Sequence, residues 1–390
     1  MPKKDHILNL PGFSIKKVTG YPLIIEVVYR RKARCPGCES KHVRKKASYY
    51  RQVRHESLGH RITTLRFKAY KLYCYHCKRY FNQQFPGISK YQRASERLHK
   101  QVFHQHTEGI SQQTLSHQLK LGKATIERWY HQQYQLAHRE IEQKHCPTVL
   151  GIDEHFFSKQ QGYVTTFCNL RKHKIFDIVK GHCAKTLADY LKQLPGKERV
   201  KVICIDLSHR YRRLIQQYFP NAKIVADRFH VIRLVNHLSM QTYHQLDASI
   251  KYQRGILKVL RMREDKLTHL QQQKRDAYLK QHPAIDAVYQ FKQRLHRLLL
   301  KKHCKARVCK RLLPVFLNKL KQLKQSGFKS LKTLGKTLYQ WREEVVRMWR
   351  FTKNNGITEG FHRKMKLIQR RAYGFRNFEN YRLRVKVLCS

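Results

Sequence analysis

The spacing of hydrophobic positions changes several times along the chain, and each change predicts a different kind of element. Tyr21-Pro22-Leu23-Ile24-Ile25-Glu26-Val27-Val28-Tyr29 is rich in β-branched residues and reads as a strand. Ile62, Leu65, Phe67, Tyr70 and Leu72 form an alternating stretch that predicts short strands. Residues 90–140 turn helical. There Leu115, Leu119, Leu121, Ile126 and Trp129 make one apolar face, broken at Lys120-Leu121-Gly122. That is helix, short turn, helix, as in a helix-turn-helix.

From residue 148 the pattern becomes one of strands: Val149–Phe157, Tyr163–Leu170 and Lys174–Val179, then a helix over Ala184–Leu194. Strand Val200–Leu207, helix Arg210–Tyr218 and strand Ala222–Ala226 follow. The order predicts an α/β sheet with a meander at its front. From about 230 to 350 the chain is rich in Leu, Lys, Gln and Arg, with glycine only at 255, 327 and 335, so it is helical, and Pro283 and Pro314 should separate helices. A last helix runs from a turn at Gly356 to about Arg371. Phe361, Met365, Ile368 and Ala372 share one of its faces; Glu359, Arg363, Lys366 and Arg370 share the other. Cys146-Pro147 is the clearest domain boundary, and neither an internal repeat nor a Gly/Ser linker is visible.

Charge narrows the function. Lys and Arg number 82 against 25 Asp and Glu, a net charge of +57. A folded chain this basic repels itself unless a polyanion neutralises it, so nucleic acid is the expected partner. The excess runs along the whole length, which argues against a charged tail or a merely solvated surface. Eleven cysteines with no disulfide-like framework indicate a reducing compartment. Met1-Pro2-Lys3-Lys4-Asp5-His6 has no apolar region of a signal peptide. The longest apolar run, Leu23–Tyr29, contains Glu26 and is too short to span a bilayer. A cytoplasmic or nucleoid-associated location, with no membrane partner, is expected.

Several groups of residues carry candidate chemistry. Cys35-Pro36-Gly37-Cys38 and Cys74-Tyr75-His76-Cys77 are paired knuckles that predict a zinc ribbon, with Gly37 easing the first turn. Their separation exceeds the usual ribbon spacing, so the hairpin between them must be long. Asp153 lies within the first strand of the α/β region and Asp206 at the end of the fourth, each beside apolar neighbours. A buried strand carboxylate is costly unless paired or bound to a metal. The pair fits a site for a hard cation, Mg²⁺ or Mn²⁺, and equally fits two caps of the helices that follow. Asp227 and His230, three apart at a helix start, could bind DNA, support such a site or cap the helix. Lys123, Thr125, Arg128 and His131 would lie on the outer face of the second helix of the helix-turn-helix. Glu359 could hold a metal while Arg363, Lys366 and Arg370 bind a DNA strand; it also fits an ordinary first-turn glutamate favoured by the helix dipole.

Longer motifs decide between these readings. Gly151-Ile152-Asp153-Glu154, Asp206 with Tyr211 and Phe219-Pro220-Asn221-Ala222, and Asp227-Arg228-Phe229-His230-Val231 resemble the ISL-three-type bacterial insertion-sequence transposases. So do Asn355-Gly356-Ile357-Thr358-Glu359-Gly360 and Arg370-Arg371-Ala372-Tyr373-Gly374-Phe375-Arg376-Asn377. The order of zinc ribbon, helix-turn-helix and catalytic core is similar too, so the likeness covers nearly the whole chain. Phe361-His362 departs from it, since the family often has a small or aliphatic residue followed by Asn.

The resemblance implies an α/β fold with an RNase H-like catalytic core interrupted by an all-α insertion. It makes Asp153, Asp206 and Glu359 a DDE triad holding two Mg²⁺ (or Mn²⁺) ions, and Asp227 and His230 a supporting Asp-x-x-His pair. The implied domains are an N-terminal strand and zinc ribbon (1–88), a helix-turn-helix domain (89–146), the first part of the core (147–232), the insertion (233–350) and the rest of the core (351–390). The implied activity is metal-dependent DNA cleavage and strand transfer at terminal inverted repeats. A homodimer on double-stranded DNA would pair the two ends. A resolvase-like nuclease would not need two N-terminal DNA-reading modules. A regulator derived from a transposase, without catalysis, would be favoured by loss of a carboxylate, and all three are present.

Overall fold

Alternation along one long strand organises the first part of the protein. A computed structural model describes residues 7–141, 145–351 and 356–390, so Met1–His6 and Asn355, the start of one motif, lie outside the described residues. In β4 (Arg61–Cys74), Thr63, Leu65, Phe67 and Ala69 are buried while their neighbours face out. β3 (Val43–Leu58) pairs antiparallel with it along almost its whole length, forming the long hairpin that the cysteine spacing required. β2 (Leu23–Tyr29) adds to β4 in parallel, β1 (Phe13–Thr19) lies antiparallel to β2, and β5 (Arg79–Asn82) pairs with the far end of β4. Strand β1 was not expected from the sequence, because Lys16 and Lys17 interrupt its apolar run at a bulge. Phe13, Phe67 and Phe85 pack together with ring centroids 4.9–5.7 Å apart and anchor this core.

Three helices follow in the same compact unit: α1 (Glu96–Thr107), α2 (Gln112–Leu119) and α3 (Lys123–Ile141). Ser95 and Ser111 cap the first two, their side chains accepting from Leu98 N–H and Thr114 N–H. Leu115, Leu119, Ile126 and Trp129 are buried as predicted, so α2 and α3 form the expected helix-turn-helix. Lys120 ends α2 in the left-handed conformation at φ 47°. The turn that glycine would make freely is thus held by a lysine, which tertiary packing must overcome.

The second compact unit, from residue 142 to Leu367 with Asn377–Ser390, is built on a five-stranded sheet. Strands β6 (Val149–Ser158), β7 (Gly162–Asn169) and β8 (Lys174–Lys180) form the predicted antiparallel meander. After α4 (Ala184–Gln193), strand β9 (Val202–Ile205) lies parallel to β6 on its other side. After α5 (His209–Tyr218), strand β10 (Lys223–Ala226) extends the sheet in parallel, giving the order β10-β9-β6-β7-β8. All four residues of β9 are buried, as a strand covered on both faces requires.

From Arg228 onward the described elements are helical: α6 (Arg228–Leu246), α7 (Arg254–Arg261), α8 (His269–Gln281), α9 (Pro283–Leu299), α10 (Ala306–Gln325), α11 (Lys329–Gln340), α12 (Arg342–Arg350), α13 (Gly356–Arg371) and α14 (Phe378–Leu388). Phe316, Leu334, Trp341 and Trp349 share one core with Leu150, Ile203 and Val231 of the sheet region. A second core joins Tyr243, Leu260, Ile285 and Tyr289. Pro283 starts α9 as expected, but Pro314 lies inside α10 and does not separate helices. Its ring sits on the exposed side, where the lost hydrogen bond is left to water, and buried Phe316, Leu320 and Leu323 carry the helix through. Among the described residues no helix is long and apolar enough to cross a membrane.

Helix α14, which the sequence reading did not foresee, is tied to β8 by an ion pair. Arg382 donates from Nε and Nη2 to both oxygens of buried Asp177, at 2.7 and 2.6 Å, and Tyr190 donates to the same carboxylate at 3.1 Å. Burial pushes the Asp177 carboxyl up, but Arg382 and the Lys386 ammonium outweigh it and hold it below its ordinary range. This pair therefore stabilises the fold above the usual carboxylate range and is lost as pH falls through the lower folded-state value. Arg382→Ala leaves a buried carboxylate with too few partners, so the unfolding free energy should drop by about 3 kcal/mol at neutral pH. The deficit should shrink on acidification, and urea melts at neutral and acidic pH would check both.

Candidate active site and cysteine cluster

The two cysteine knuckles close on each other. Cys35 Sγ lies 3.9 Å from Cys77 Sγ and Cys38 Sγ 3.6 Å from Cys74 Sγ, and all four sulfurs lie within 4.8 Å of one another. Four ligands about 2.3 Å from a tetrahedral Zn²⁺ stand roughly 3.8 Å apart, so the set fits that ion. Among the described residues this is the group of three or more candidate ligands gathered so tightly. The thiols do not ionise independently. Gly37 N–H holds Cys35 down at about 7, while the Cys38 thiol, together with burial, pushes Cys77 up to about 12. A cation resolves that conflict. The strained turn residues are Glu39 (φ 55°) and Lys78 (φ 52°), each following the second cysteine of its knuckle. Gly37 was expected to supply the turn's freedom, but the left-handed position falls two residues later.

Sheet register builds the second site. Gly151 pairs with Cys204 across the parallel strands β6 and β9, and Ile205 pairs with Ala226 across β9 and β10. Continuing both registers brings Asp153, Asp206 and Asp227 to the same level, midway along β6 and just past the carboxyl ends of β9 and β10, about 4.8 Å apart strand to strand. From β6 the chain leaves to one side as β7 and β8 and returns on the other as β9 and β10. Asp153 and Asp206 therefore flank the point where strand order reverses, where open α/β sheets bind ligands.

The aspartates differ in their partners. Asp153 Oδ1 accepts from Glu154 N–H at 2.8 Å, and burial, with Asp206, Asp227 and Glu154 nearby, raises its carboxyl to about 7. Asp206 is also raised, by burial first, against the pull of His230. Its Oδ1 is buried without a hydrogen-bond partner. Helix α5 begins at Ser208 with no side-chain cap, so Asp206 does not serve as one. Asp227 does cap α6, accepting from Phe229 N–H at 3.3 Å, and His230 Nε2 lies 3.7 Å from its Oδ2. Glu154 is held by the Arg210 guanidinium. Four carboxylates thus crowd this region of the sheet in a chain with only 25 acids, and Asp206 Oδ1 lacks a donor. A divalent cation fits that deficit.

Helix α13 covers this edge. Its Thr358 is fully buried, and His362 Nε2 lies 3.3 Å from the hydroxyl of Thr166, the residue opposite Asp153 on β7. His362 Nδ1 is 3.9 Å from Asp153 Oδ2, and its ring packs on His155 at 4.9 Å between centroids. Burial, then His155 and Lys366, push His362 down to about 3, so it is neutral and the contact is no ion pair. Glu359 is half-buried one helical turn before His362, roughly 4.5 Å along the axis. The sequence reading missed His155, Thr166 and His362. The i, i+2 spacing of Asp153 and His155 was a signal for the first, since both point to one face of β6.

The residues expected to bind DNA are exposed in part. Lys123 and Arg128 on α3 are exposed, Thr125 and His131 are half-buried, and His131 lies 3.7 Å from Glu127. On α13, Met365 and Ile368 are buried while Arg363, Lys366 and Arg370 face out.

Paired carboxylates thus meet at a sheet switch point within a chain of net charge +57. The chain belongs to the ISL3 family of transposases: residues 150–385 match its DDE family model, described as "Transposase". Residues 83–134 match the helix-turn-helix domain of transposase family ISL3, and residues 31–77 the zinc-finger of transposase IS204/IS1001/IS1096/IS1165. The chain is also similar to the transposase for insertion sequence element IS1001 of Bordetella parapertussis, 26% identical over 359 residues that cover 86% of each protein.

Proposed function

We propose that this transposase binds the terminal inverted repeats of its element and cleaves and joins DNA through Asp153, Asp206 and Glu359. The observation that carries the reading is the register that sets Asp153 and Asp206 side by side at the switch point, with Asp206 Oδ1 buried and unpartnered. The sheet is an RNase H-like core, residues 147–232 and 351–390, and the helices of 233–350 are an all-α insertion between the second and third carboxylates. A strand order with a three-stranded meander and two further parallel strands supports that assignment.

Asp153, Asp206 and Glu359 would hold two Mg²⁺ (or Mn²⁺) ions. When bound, such ions make a water or a DNA 3′-hydroxyl nucleophilic and stabilise the leaving oxygen. The protein's own residues do the rest. His362, neutral and seated on Thr166 and His155, fixes the orientation of the Asp153 carboxylate, and Arg210 draws Glu154 away from the shared edge. Asp227 and His230 support Asp206 from the side of α6. Arg363, Lys366 and Arg370 grip the scissile strand's phosphates, while Lys123, Thr125, Arg128 and His131 contact the repeat as duplex. Zn²⁺ on Cys35, Cys38, Cys74 and Cys77 holds the ribbon in shape. Two copies act as a homodimer so that both ends meet.

Cleavage of end-bearing DNA in Mg²⁺ tests the triad at its least supported member. Glu359→Gln should lose cleavage by at least ~10²-fold while retaining binding to the ends; full activity in that variant would remove Glu359 from the site.

A further inference from the structure

A cleft of about 1080 Å³ lies in the first compact unit, beside the long hairpin, between β3, β5 and the segment leading to α1. It is larger than most small-molecule sites, which run to about 1,000 Å³, and suits a segment of polymer. Its walls carry Tyr50, Tyr80 and Tyr91, exposed by 65%, 59% and 76%. A single exposed aromatic ring is ordinary, but here three share one cleft. Each has a cation against its ring: Arg66 at 5.0 Å from Tyr50, Lys71 at 5.4 Å from Tyr80 and Lys90 at 4.8 Å from Tyr91. Tyr91 is held at φ 61°, a left-handed conformation that a bulky residue rarely adopts, and this keeps its ring in solvent. Lys71, Lys90 and Arg93 add charge to the rim, while Glu96 is the acid that lines it.

Cations interleaved with open aromatic faces match an unpaired nucleic-acid strand. In a duplex every base is covered on both faces by its neighbours, so these rings would gain little from it. In a single strand each base offers a free face, and stacking on tyrosine is tolerant of sequence. We propose that this cleft binds an unpaired DNA strand, with bases stacked on Tyr50, Tyr80 and Tyr91 and phosphates met by Lys71, Lys90 and Arg93. The proposal rests on the reading above only for the origin of such a strand, since cleavage at an element end frees one. Binding itself needs no catalysis.

The test uses the full chain without divalent cation, so that a failure of the carboxylate assignment cannot affect it. Fluorescence anisotropy would compare labelled oligo-dT with a blunt duplex of equal length, in salt high enough to suppress backbone-only binding. The combined variant Tyr50→Ala, Tyr80→Ala, Tyr91→Ala should bind oligo-dT at least ~10-fold more weakly, with duplex affinity nearly unchanged. The combined Tyr→Phe variant, which keeps the rings, should bind both as before. Equal loss on both DNAs, no loss in the alanine variant, or loss in the phenylalanine variant would each overturn the proposal. Zinc content and circular dichroism of both variants guard against misfolding, to which these exposed positions should contribute little.

Discussion

Asp206→Asn is expected to abolish strand cleavage and, in the same protein without divalent cation, to raise the melting temperature. The two effects have one cause. Asp206 Oδ1 is buried with no hydrogen-bond partner, and the neighbouring Glu154 and Asp227 add to the burial that disfavours its charge. An unsatisfied buried polar group costs about 1–3 kcal/mol, more when ionised. At neutral pH a raised carboxyl opposes folding, because ionisation is harder in the folded state than in the unfolded chain. Asparagine removes the charge at nearly constant volume, so stability should rise by about 1 kcal/mol or more. In a unit of this size that is roughly 2–4 °C of melting temperature. Activity should fall by at least ~10²–10³-fold, the range for loss of one electrostatic contact to the transition state. A residue with a purely structural role would lose stability along with activity. Cleavage assays and thermal melts on the same preparation separate the cases, and unchanged cleavage would end the assignment of Asp206 as a metal ligand.

Cys74→Ser is expected to cost the protein its zinc and to unfold one end of the ribbon while the other end survives. Cys74 is buried at the end of β4 and its sulfur also accepts the Cys77 N–H. The half of β3 beside it, Val43–Tyr50, is exposed at almost every position and owns no core. The other half is fastened by Phe13, Leu65, Phe67 and Phe85. Structural zinc contributes about 10–16 kcal/mol in finger peptides, which is comparable to the whole stability of a domain. Losing it should therefore release Cys35–Ser40, the first half of β3 and β5, but not the aromatic core. Hydrogen exchange should show fast amides in those segments and protection retained at Val53 and Leu65. Metal analysis of the wild-type chain should find one zinc, and finding none would remove the ribbon's metal altogether.

Much of this fold was legible because its elements obey simple periods. The α/β strands β6 to β10, the helix-turn-helix and the amphipathic α13 followed from apolar spacing, and the knuckles followed from thiols placed in pairs. Strand β1 escaped because a bulge and two lysines break its pattern, and α14 because its short amphipathic run lies beyond the last motif. Pro314 misled because a helix anchored by buried residues can carry a proline on its wet side.

The sequence by itself determined that this is a basic, zinc-ligating transposase of the ISL3 family, since charge, cysteine pairing and motif wording are local properties. Strand placement alone left Asp153 and Asp206 open between helix caps and a cation site. Only the tertiary structure decided that Asp206 caps nothing and shares a level with Asp153, because register between strands 53 residues apart (206 − 153) is set by the packing of the sheet. The same holds for His362, whose neighbour on the sheet, Thr166, is nearly two hundred residues away in sequence.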